Sequence, residues 1–488
     1  MILAIDQGTS GTTCLVFDEQ AELIGRAFSE FQQHFPRPGW VEHDAGEIWA
    51  VTERVAGEAL ADAGVRDGEL QAVGITNQRE TVCVWDRTTG EPLHHAIVWQ
   101  DRRTAARCDE LREAGALDLV RSRTGLVLDP YFSGTKIEWL LREVDGLRER
   151  CEAGRAVFGT IDSWLLFKLT GEHVTDPSNA SRTMLFDISR GAWDEELCAL
   201  LGVPMRSLPR VATSCGSLGV TRAFGGEVPV TGVAGDQQAA LFGQACVDPG
   251  LGKNTYGTGS FVLVNAGFSP PPAAEGLLST VAWGIGERLS YASEAAIFVT
   301  GAAVQWLRDG LGIIEAAAET EALAASLSGN DGVYFVPALT GLGSPYWDPY
   351  ARGTLVGLTR GTGRAHLARA TLEAIAYQTV DAVRAIEAAG VALTELRADG
   401  GATANAWLMQ FQADVLGVPV VLPEIVETTA LGAAYLAGVG AGMWTISDVC
   451  ASWRERRRFE PAMSDDERLS LLDSWRRALD RARGWVVA

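Results

Sequence analysis

A carboxylate at the boundary between a strand-like and a helix-like run is the first candidate for chemistry in this sequence. Residues 232–243 read GVAGDQQAALFG, in which an apolar run ends and Asp236 precedes a helix-like segment. An acidic side chain at such a position is often only the N-cap of the helix. If Asp236 instead faces a cleft, its carboxylate can take the proton of an attacking hydroxyl group and act as a general base.

A second polar cluster, residues 77–81 (NQRET), follows another short strand-like run. Arg79 can donate hydrogen bonds to the hydroxyl groups of a ligand, and Glu80 can accept them. The alternative is an ion pair between these two side chains at the protein surface, which would contribute little. The residue types alone leave both interpretations open.

Three glycine-containing turns are candidates for binding a nucleotide. Gly8–Thr9 and Gly257–Thr258 each lie between two strand-like runs, and such turns can present backbone N–H groups and a hydroxyl to one anion. Each could equally be a plain hairpin turn. Gly400–Gly401 precedes a helix-like run and can admit the face of a nucleobase or a ribose, unless it is a simple connection with Asn405 as the helix cap.

The elements that would position these residues alternate along the whole chain. Strand-like runs at 2–5 and 14–17 are followed by apolar residues at helical spacing over 46–64, and the alternation continues, which is typical of an α/β protein. The first turn and the turn at Gly257 lie near the start of each half of the chain. This repeat predicts two similar domains that face one another, divided near residues 243–250.

The composition argues against several classes of function. The chain has 488 residues with 41 Lys and Arg against 62 Asp and Glu, and its net charge of −21 disfavours nucleic acid and anionic membranes as partners. The 8 cysteines form no C-x-x-C pair and the 6 histidines no H-x-x-x-H pair, so neither a disulfide framework nor a zinc site is indicated. Glu42, His43 and Asp44 are a weak metal candidate, because three consecutive loop side chains rarely converge.

The N-terminal apolar run is not preceded by a positively charged segment of the kind that a secretory signal needs. The longest uncharged helix-like stretch, residues 428–447, is rich in Ala and Gly and indicates a closely packed helix more than a bilayer span. We therefore expect a cytoplasmic protein that does not associate with membranes.

Longer motifs extend over nearly the whole chain, and on them the sequence resembles the carbohydrate kinases of the FGGY family. The resemblance runs from about residue 4 to about residue 459. Its most specific segments are PGWVEHD (38–44), GITNQRET (74–81), IVWQ (97–100), DPYFSGTK (129–136), NASRTMLF (179–186), GVAGDQQAALFGQ (232–244), KNTYGTG (253–259), QWLRD (305–309), GLGSPYWDPYARG (341–353), DGGATAN (399–405), LMQFQAD (408–414) and TALGAAYLAG (429–438).

The resemblance implies an α/β fold of two ribonuclease-H-like (actin-like ATPase) domains with the catalytic cleft between them. Residues 1–244 would form the domain with the glycerol site and the first phosphate turn, and residues 245–488 the nucleotide-binding domain. The implied reaction is phosphorylation of glycerol by ATP to give sn-glycerol 3-phosphate, with Mg²⁺ as cofactor. A homo-oligomer, either a dimer or a tetramer, is also implied.

The resemblance also assigns roles to individual positions. Asp236 would be the general base, and Asp6 would help to place Mg²⁺, through water. The residues that would contact glycerol are Arg79, Glu80, Trp99, Tyr131, Asp236, Gln237 and Phe261. Those that would contact the nucleotide are Thr9, Ser10, Gly11, Thr258, Gly301, Gln305, Gly401 and Asn405.

One position departs from the pattern of the family, which usually has a basic residue where this chain has Thr13. Since a charge-assisted contact to phosphate would be missing, we expect impaired use of ATP unless Lys253 or Arg308 compensates. Two alternatives to glycerol phosphorylation stay open at this point. The chain could be a kinase of the same family for another small polyol or a ketose, or a ligand-binding regulator that has lost catalysis.

Overall fold

The computed structural model describes residues 1–486 and is built on one continuous sheet of 13 strands. The strands of the first half are β1 (Ile2–Gln7), β2 (Gly11–Phe17), β3 (Leu23–Glu30), β4 (Glu42–His43), β5 (Ala72–Asn77), β6 (Val82–Asp86), β7 (Ala96–Ile97), β8 (Ala156–Thr160), β9 (Val174–Thr175), β10 (Phe186–Asp187), β11 (Ala192–Trp193), β12 (Arg210–Val211), β13 (Cys215–Thr221) and β14 (Val228–Gly235). Its helices are α1 (Ala45–Asp62), α2 (Ala105–Glu113), α3 (Leu117–Thr124), α4 (Ser133–Glu143), α5 (Leu147–Glu152), α6 (Ile161–Thr170), α7 (Pro177–Ala180), α8 (Glu195–Leu200) and α9 (Asp236–Gly243).

The second half has fewer strands and longer helices. Its strands are β15 (Leu251–Tyr256), β16 (Ser260–Gly267), β17 (Leu278–Ile285), β18 (Arg288–Ile297), β19 (Tyr334–Val336), β20 (Thr354–Val356), β21 (Glu395–Asp399), β22 (Val420–Pro423) and β23 (Glu455–Phe459). Its helices are α10 (Gly301–Gln305), α11 (Glu319–Ala325), α12 (Arg364–Ala388), α13 (Ala406–Leu416), α14 (Thr428–Gly440), α15 (Ile446–Ser452) and α16 (Asp465–Ala482).

The same six-strand arrangement occurs twice in the large sheet. In the first half, the antiparallel strands β3-β2-β1 are followed by β5 and β14, which run parallel to β1, and then by antiparallel β13. In the second half, β18-β16-β15 are followed in the same way by β21, β22 and β23. Strand β17 extends the second unit and pairs with β13 at Cys215 and Ile285, which joins the units into one sheet. The predicted α/β class and the repeated strand–turn–strand unit are confirmed.

Helices cover both faces of each unit. Helix α1 begins where sequence periodicity predicts it, after Asp44, whose carboxylate accepts a hydrogen bond of 2.7 Å from the Gly46 N–H group. Its apolar side, with Ile48 and Val55, packs with α6 on the first unit, while α12, α13 and α16 pack on the second. A smaller four-stranded sheet, β4-β7-β6-β8, packs with α4 and α5 beside the first unit.

Helix α14 comes from the second half of the chain, yet it packs against the sheet of the first half. The helix lies so close to this sheet that a Cβ atom added at Gly74 or Gly232 would overlap the backbone of α14. It also crosses α9 at Gly243 and Gly432, where only hydrogen atoms separate the two backbones. Residues 428–440 of the Ala- and Gly-rich stretch are thus a closely packed helix, as the composition predicts. The rest of the stretch lies outside it, because α14 ends at Gly440 and α15 begins at Ile446. Across residues 1–486, none of the helices combines the length and the hydropathy that spanning a bilayer would need.

The α9–α14 crossing leads to a prediction about stability. A methyl group at Gly432 would overlap the carbonyl oxygen of Ala239, so we expect Gly432→Ala to lower the free energy of unfolding by about 1–3 kcal/mol or more. The control is Gly57→Ala in α1, where an added Cβ has nothing within 4 Å. Because alanine is the better helix former, Gly57→Ala should stabilise the protein by about 0.5–1 kcal/mol. Urea denaturation of both variants checks this, and equal effects would contradict it.

Candidate functional site

The parallel strands β1, β5 and β14 end at one edge of the first unit, and the predicted polar residues lie there. Asp6 pairs with Thr76 across β1 and β5, and Asn77 pairs with Gly235 across β5 and β14. The chain segments that follow, with Arg79 and Asp236, therefore leave the sheet side by side. In open α/β sheets, ligands bind at this edge, outside the carboxyl ends of the strands.

Asp236 is the first residue of α9, and it is not the N-cap, which is Gly235. Its Oδ1 atom accepts a hydrogen bond of 2.7 Å from the Gln237 N–H group and lies 3.2 Å from Nε of Arg79. About a third of the side chain (31%) remains exposed. The carboxylate is therefore held by a guanidinium group and still accessible to a ligand, as a general base must be.

Arg79 and Glu80 are fully buried, so the alternative of a surface ion pair is wrong. Arg79 donates from Nη1 to Glu294 Oε2 at 2.5 Å and from Nη2 to Glu294 Oε1 at 3.2 Å. Arg182 donates from Nε to Glu80 Oε1 at 2.7 Å and from Nη2 to Glu294 Oε1 at 3.0 Å. Two guanidinium groups and the carboxylates of Glu80, Glu294 and Asp236 thus form one ionic cluster, in which each charge has a partner.

Two members of this ionic cluster, Arg182 and Glu294, are not among the residues predicted from the sequence. Both side chains are inaccessible to solvent. Each lies in a run of small or apolar residues, NASRTMLF and YASEAAIF, where a single charge is unusual. Because charged residues are almost never fully buried without a partner, a single charge in such a run indicates a buried ion pair.

Three aromatic side chains bound the space next to Asp236. The rings of Trp99 and Tyr131 meet edge to face with their centroids 5.6 Å apart, and the Tyr131 hydroxyl lies 3.5 Å from Nη2 of Arg79. The ring of Phe261 has its centroid 6.0 Å from Cζ of Arg79. The predicted glycerol-contacting residues therefore come together as an aromatic wall, formed by Trp99, Tyr131 and Phe261, around one guanidinium group.

Gln237 projects from α9 next to Asp236 and accepts a hydrogen bond through Oε1 from Nζ of Lys253. Lys253 also donates to the Thr255 hydroxyl at 3.0 Å. Burial lowers the pKa of Lys253 to about 8, against the opposing effect of the carboxylates of Asp399 and Asp236. This cation lies beside residues that are predicted to contact glycerol, where it adds positive charge close to Asp236.

Both predicted phosphate turns close through a backbone hydrogen bond from their first glycine, which reaches three residues along the chain in the first turn and two in the second. In the first, Gly8 N–H donates to the Gly11 carbonyl at 2.9 Å, and in the second, Gly257 N–H donates to the Gly259 carbonyl, also at 2.9 Å. We call the first of these, residues 8–11, the phosphate turn. Its Thr9 hydroxyl accepts a hydrogen bond of 2.9 Å from the Trp99 indole N–H, and its Ser10 is exposed. The phosphate turn is thus connected to the aromatic wall.

A cavity of about 420 Å³ lies in the second half, next to the second turn. Its lining includes every residue of that half that the sequence analysis assigned to the nucleotide, namely Thr258, Gly301, Gln305, Gly401 and Asn405. Asn405 also caps α13 by accepting from the Leu408 N–H group at 2.9 Å. It is therefore both the helix cap and part of the cavity lining. Gly400 has φ +89° and lies against the backbone of Tyr256, a conformation that favours glycine. The cavity is large enough for a nucleoside.

Asp6 lies at the end of β1, on the same edge of the sheet as Asp236. Burial, and then the negative charge of Asp236, raise the pKa of Asp6 to about 7. Among residues 1–486 the Asp6 carboxylate has no ion-pair partner, whereas that of Asp236 is paired with Arg79. Asp6 therefore suits Mg²⁺, which is usually bound through one or two carboxylates together with waters and phosphate oxygens. Within residues 1–486, His, Cys, Asp and Glu side chains form no group of three that could hold a metal ion, so Glu42, His43 and Asp44 are not a metal site.

Comparison with known proteins gives matches over the whole chain. The N-terminal domain of the FGGY family of carbohydrate kinases matches residues 1–243, and the C-terminal domain of that family matches residues 252–441. A glycerol kinase of Dechloromonas aromatica is 57% identical over 100% of this chain and 98% of its own length. One of Aromatoleum aromaticum is 58% identical, over 100% and 99%. The crystal structure of Plasmodium falciparum glycerol kinase with ADP superimposes with a TM-score of 0.94 at 34% identity, covering 99% of this chain and 98% of that one.

Proposed function

The chain belongs to the FGGY family of carbohydrate kinases, and on this premise we propose that it transfers the γ-phosphoryl group of ATP to glycerol, giving sn-glycerol 3-phosphate. Identities of 57% and 58% to glycerol kinases over essentially full lengths support this acceptor. The observation that carries the mechanism is the partly exposed carboxylate of Asp236, held 3.2 Å from Nε of buried Arg79 beside an aromatic wall.

The acceptor site fits a small triol. Arg79 can donate to glycerol hydroxyls, while Glu80 and Asp236 can accept from them. Trp99 and Phe261 would pack against the carbon chain and limit its length. A larger or less hydroxylated acceptor would leave buried polar groups unpaired, and this is the physical basis of selectivity. Opening the aromatic wall would be necessary for a ketose.

The reaction then needs one proton transfer and one displacement. Asp236 accepts the proton of a terminal glycerol hydroxyl, whose oxygen forms a bond to the γ-phosphorus. The bond between that phosphorus and the β–γ bridging oxygen breaks, and ADP leaves with the electron pair. Asp6 would hold Mg²⁺ through water, and the bound ion would neutralise charge on the phosphates. Thr9, Ser10 and Gly11 would contact the phosphates, and the residues that line the cavity would contact the nucleoside.

A coupled assay of ADP formation tests the reaction with four acceptors, glycerol, erythritol, dihydroxyacetone and xylulose. We expect glycerol-dependent ADP formation with the highest kcat/KM for glycerol, and sn-glycerol 3-phosphate as the product identified by mass spectrometry. A higher kcat/KM for xylulose would favour a ketose kinase. Absence of ADP formation with every acceptor would favour a ligand-binding regulator.

Position 13 offers a prediction about ATP. Thr13 lies on β2 directly opposite Asp6. Lys253 donates to Gln237, and Arg308 lines the cavity of the second half, where it forms an exposed ion pair with Asp309 at 2.7 Å. We expect Thr13→Arg to lower the KM for ATP by about tenfold or more, because a charge-assisted bond to phosphate contributes about 1.5–3 kcal/mol. Steady-state kinetics measure this. The neutral variant Thr13→Gln is the control, and an equal KM in both variants would contradict the prediction.

The assembly, the domain boundary and the location of the protein stay predictions. We propose a dimer or tetramer, which analytical ultracentrifugation can decide, and a domain division between residues 244 and 245. Because ATP is the co-substrate, we place the enzyme in the cytoplasm, where the described cysteines, all without a disulfide, would stay reduced.

A further inference from the structure

A closed ring of hydrogen bonds connects the phosphate turn to the aromatic wall and back again. The ring has six members, which the fold brings together from separate parts of the sequence. They are Thr9, Gln33, His43, Gln78, Thr81 and Trp99. Of these, Gln33, His43, Gln78 and Thr81 have no place in the proposed chemistry.

The first part of the hydrogen-bond ring runs beneath the phosphate turn. Gln33 donates from Nε2 to the carbonyl oxygen of Thr9 at 2.9 Å, and its Oε1 lies 2.7 Å from Nε2 of His43. Since Oε1 can only accept, His43 must carry its proton on Nε2. Its Nδ1 is then an acceptor, 3.4 Å from Nε2 of Gln78, which also donates to the Gly8 carbonyl and to Gln7 Oε1, both at 3.1 Å. Burial lowers the pKa of His43 to about 4, which is consistent with this neutral form.

The second part of the hydrogen-bond ring returns through the aromatic wall. Gln78 Oε1 accepts from the Thr81 hydroxyl at 2.9 Å, and the same hydroxyl accepts from the Trp99 backbone N–H at 3.2 Å. The Trp99 indole N–H then donates to the Thr9 hydroxyl oxygen at 2.9 Å, which closes the ring. Each donor and acceptor in the ring therefore has one role, except Nε2 of Gln78, which shares its two protons among His43 and two acceptors at the first turn, Gln7 Oε1 and the Gly8 carbonyl.

The orientation of the Thr9 hydroxyl follows from these roles. A threonine hydroxyl has one proton and two lone pairs. Because Trp99 donates to its oxygen, and Gln33 holds the Thr9 carbonyl from the other side, the hydroxyl proton is free to donate to an anion at the phosphate turn. A shift of the Trp99 ring would therefore move the hydroxyl that faces the phosphate.

We propose that the hydrogen-bond ring couples occupancy of the acceptor site to the binding of ATP phosphates, with Gln33 and His43 as positioning residues that touch neither substrate. This inference rests on the proposed function, which assigns Trp99 to glycerol and Thr9 to the nucleotide. Coupling between two sites is reciprocal, so the ring should raise the affinity for ATP when glycerol is bound and the affinity for glycerol when ATP is bound.

The test begins with glycerol-dependent ADP formation by the wild-type protein, and failure at this step would overturn the proposed function itself. The variant is Gln33→Leu, which removes both bonds of one half-buried link, and the matched control is its exposed neighbour, Gln32→Leu. We expect Gln33→Leu to raise the KM for ATP about three- to tenfold at saturating glycerol, while kcat changes less than twofold. Gln32→Leu should leave the KM for ATP unchanged.

If Gln33 had only a structural role, Gln33→Leu would lower the stability of the protein without a specific effect on the KM for ATP. An unchanged KM for ATP in Gln33→Leu, or an equal rise in Gln32→Leu, would overturn the inference while leaving the proposed function intact. Should Gln33→Leu not fold, His43→Phe replaces it, with His173→Phe as control. His173 is another histidine of low pKa, and within residues 1–486 its ring hydrogen-bonds to the carbonyl of Phe158 and to no member of the hydrogen-bond ring.

A double-mutant cycle tests whether the ring acts as one unit. Trp99→Phe removes the indole N–H and keeps an aromatic ring, so it opens the hydrogen-bond ring at the bond that reaches Thr9 from the side other than Gln33. Once the ring is open, the second substitution should have little further effect. We expect Gln33→Leu in the Trp99→Phe background to change the KM for ATP by less than twofold. Effects that multiply as in independent sites would overturn the coupling.

Discussion

Asp236→Asn is expected to lower kcat by about a hundred- to ten-thousandfold while the KM for glycerol changes little. Loss of a general base costs rate enhancement of that order. The amide can still hydrogen-bond to a glycerol hydroxyl and to Arg79, so binding should persist. Because Arg79 keeps its two bonds to Glu294, the folded structure should also persist. Steady-state kinetics and a thermal melt measure both effects.

The matched control for this variant is Asp466→Asn. Asp466 also lies in the first turn of a helix, α16, but it is exposed and lies far from Asp236 in the sequence. It should retain wild-type kcat. Retention of more than about a tenth of wild-type kcat in Asp236→Asn would show that Asp236 is not the general base.

Glu294→Gln is expected to lower the free energy of unfolding by about 3–5 kcal/mol. This carboxylate accepts from both Arg79 and Arg182 and is inaccessible to solvent, so the amide would leave two buried guanidinium groups without their shared anion. Since Arg79 would lose its anchor, the KM for glycerol should rise as well. Urea denaturation and acceptor kinetics check the two parts separately.

The dependence of this effect on pH has a definite sign. Burial would raise the pKa of Glu294, but the charges of Arg182 and Arg79 outweigh burial and lower the pKa from 4.5 to about 2. A pKa that is lower in the folded state gives stabilisation that is complete above about pH 4.5 and is lost as the pH falls towards 2. The stability difference between wild type and Glu294→Gln should therefore shrink in that range.

Glu373→Gln is the control for Glu294→Gln. Glu373 is also buried, on α12, but it pairs with a single arginine, Arg369, at 2.8 Å. Its replacement should cost less stability and leave the KM for glycerol unchanged. If the two variants lose the same stability and both keep wild-type kinetics, the ionic cluster has no part in acceptor binding.

Local sequence patterns predicted the parts of the site that depend on local structure. The turn at Gly8 and the helix start at Asp236 could be predicted because a glycine that follows an apolar run marks the end of a strand. The α/β class followed from the same alternation. The roles of Arg79 and Glu80, in contrast, could not be separated from a surface ion pair until their burial was known.

What the sequence could not provide was long-range pairing. Glu294 lies 215 positions from Arg79 and 112 from Arg182, and no periodicity connects them. The hydrogen-bond ring is a similar case, since Gln33 and Trp99 meet at Thr9 only after several elements have packed. The position of α14 on the first unit likewise depends on close backbone contacts at glycines, which a hydropathy pattern does not encode.

The placement of α14 also has a consequence for synthesis of the chain on the ribosome. The sheet of the first unit is complete at Gly235, but the helix that covers it ends at Gly440, about 200 residues later. At a translation rate of about 5–20 residues per second, that apolar face stays uncovered for on the order of 10–40 s until α14 has been synthesised. The N-terminal unit therefore cannot finish folding during its own translation, and the nascent chain depends on its distal end for protection from aggregation.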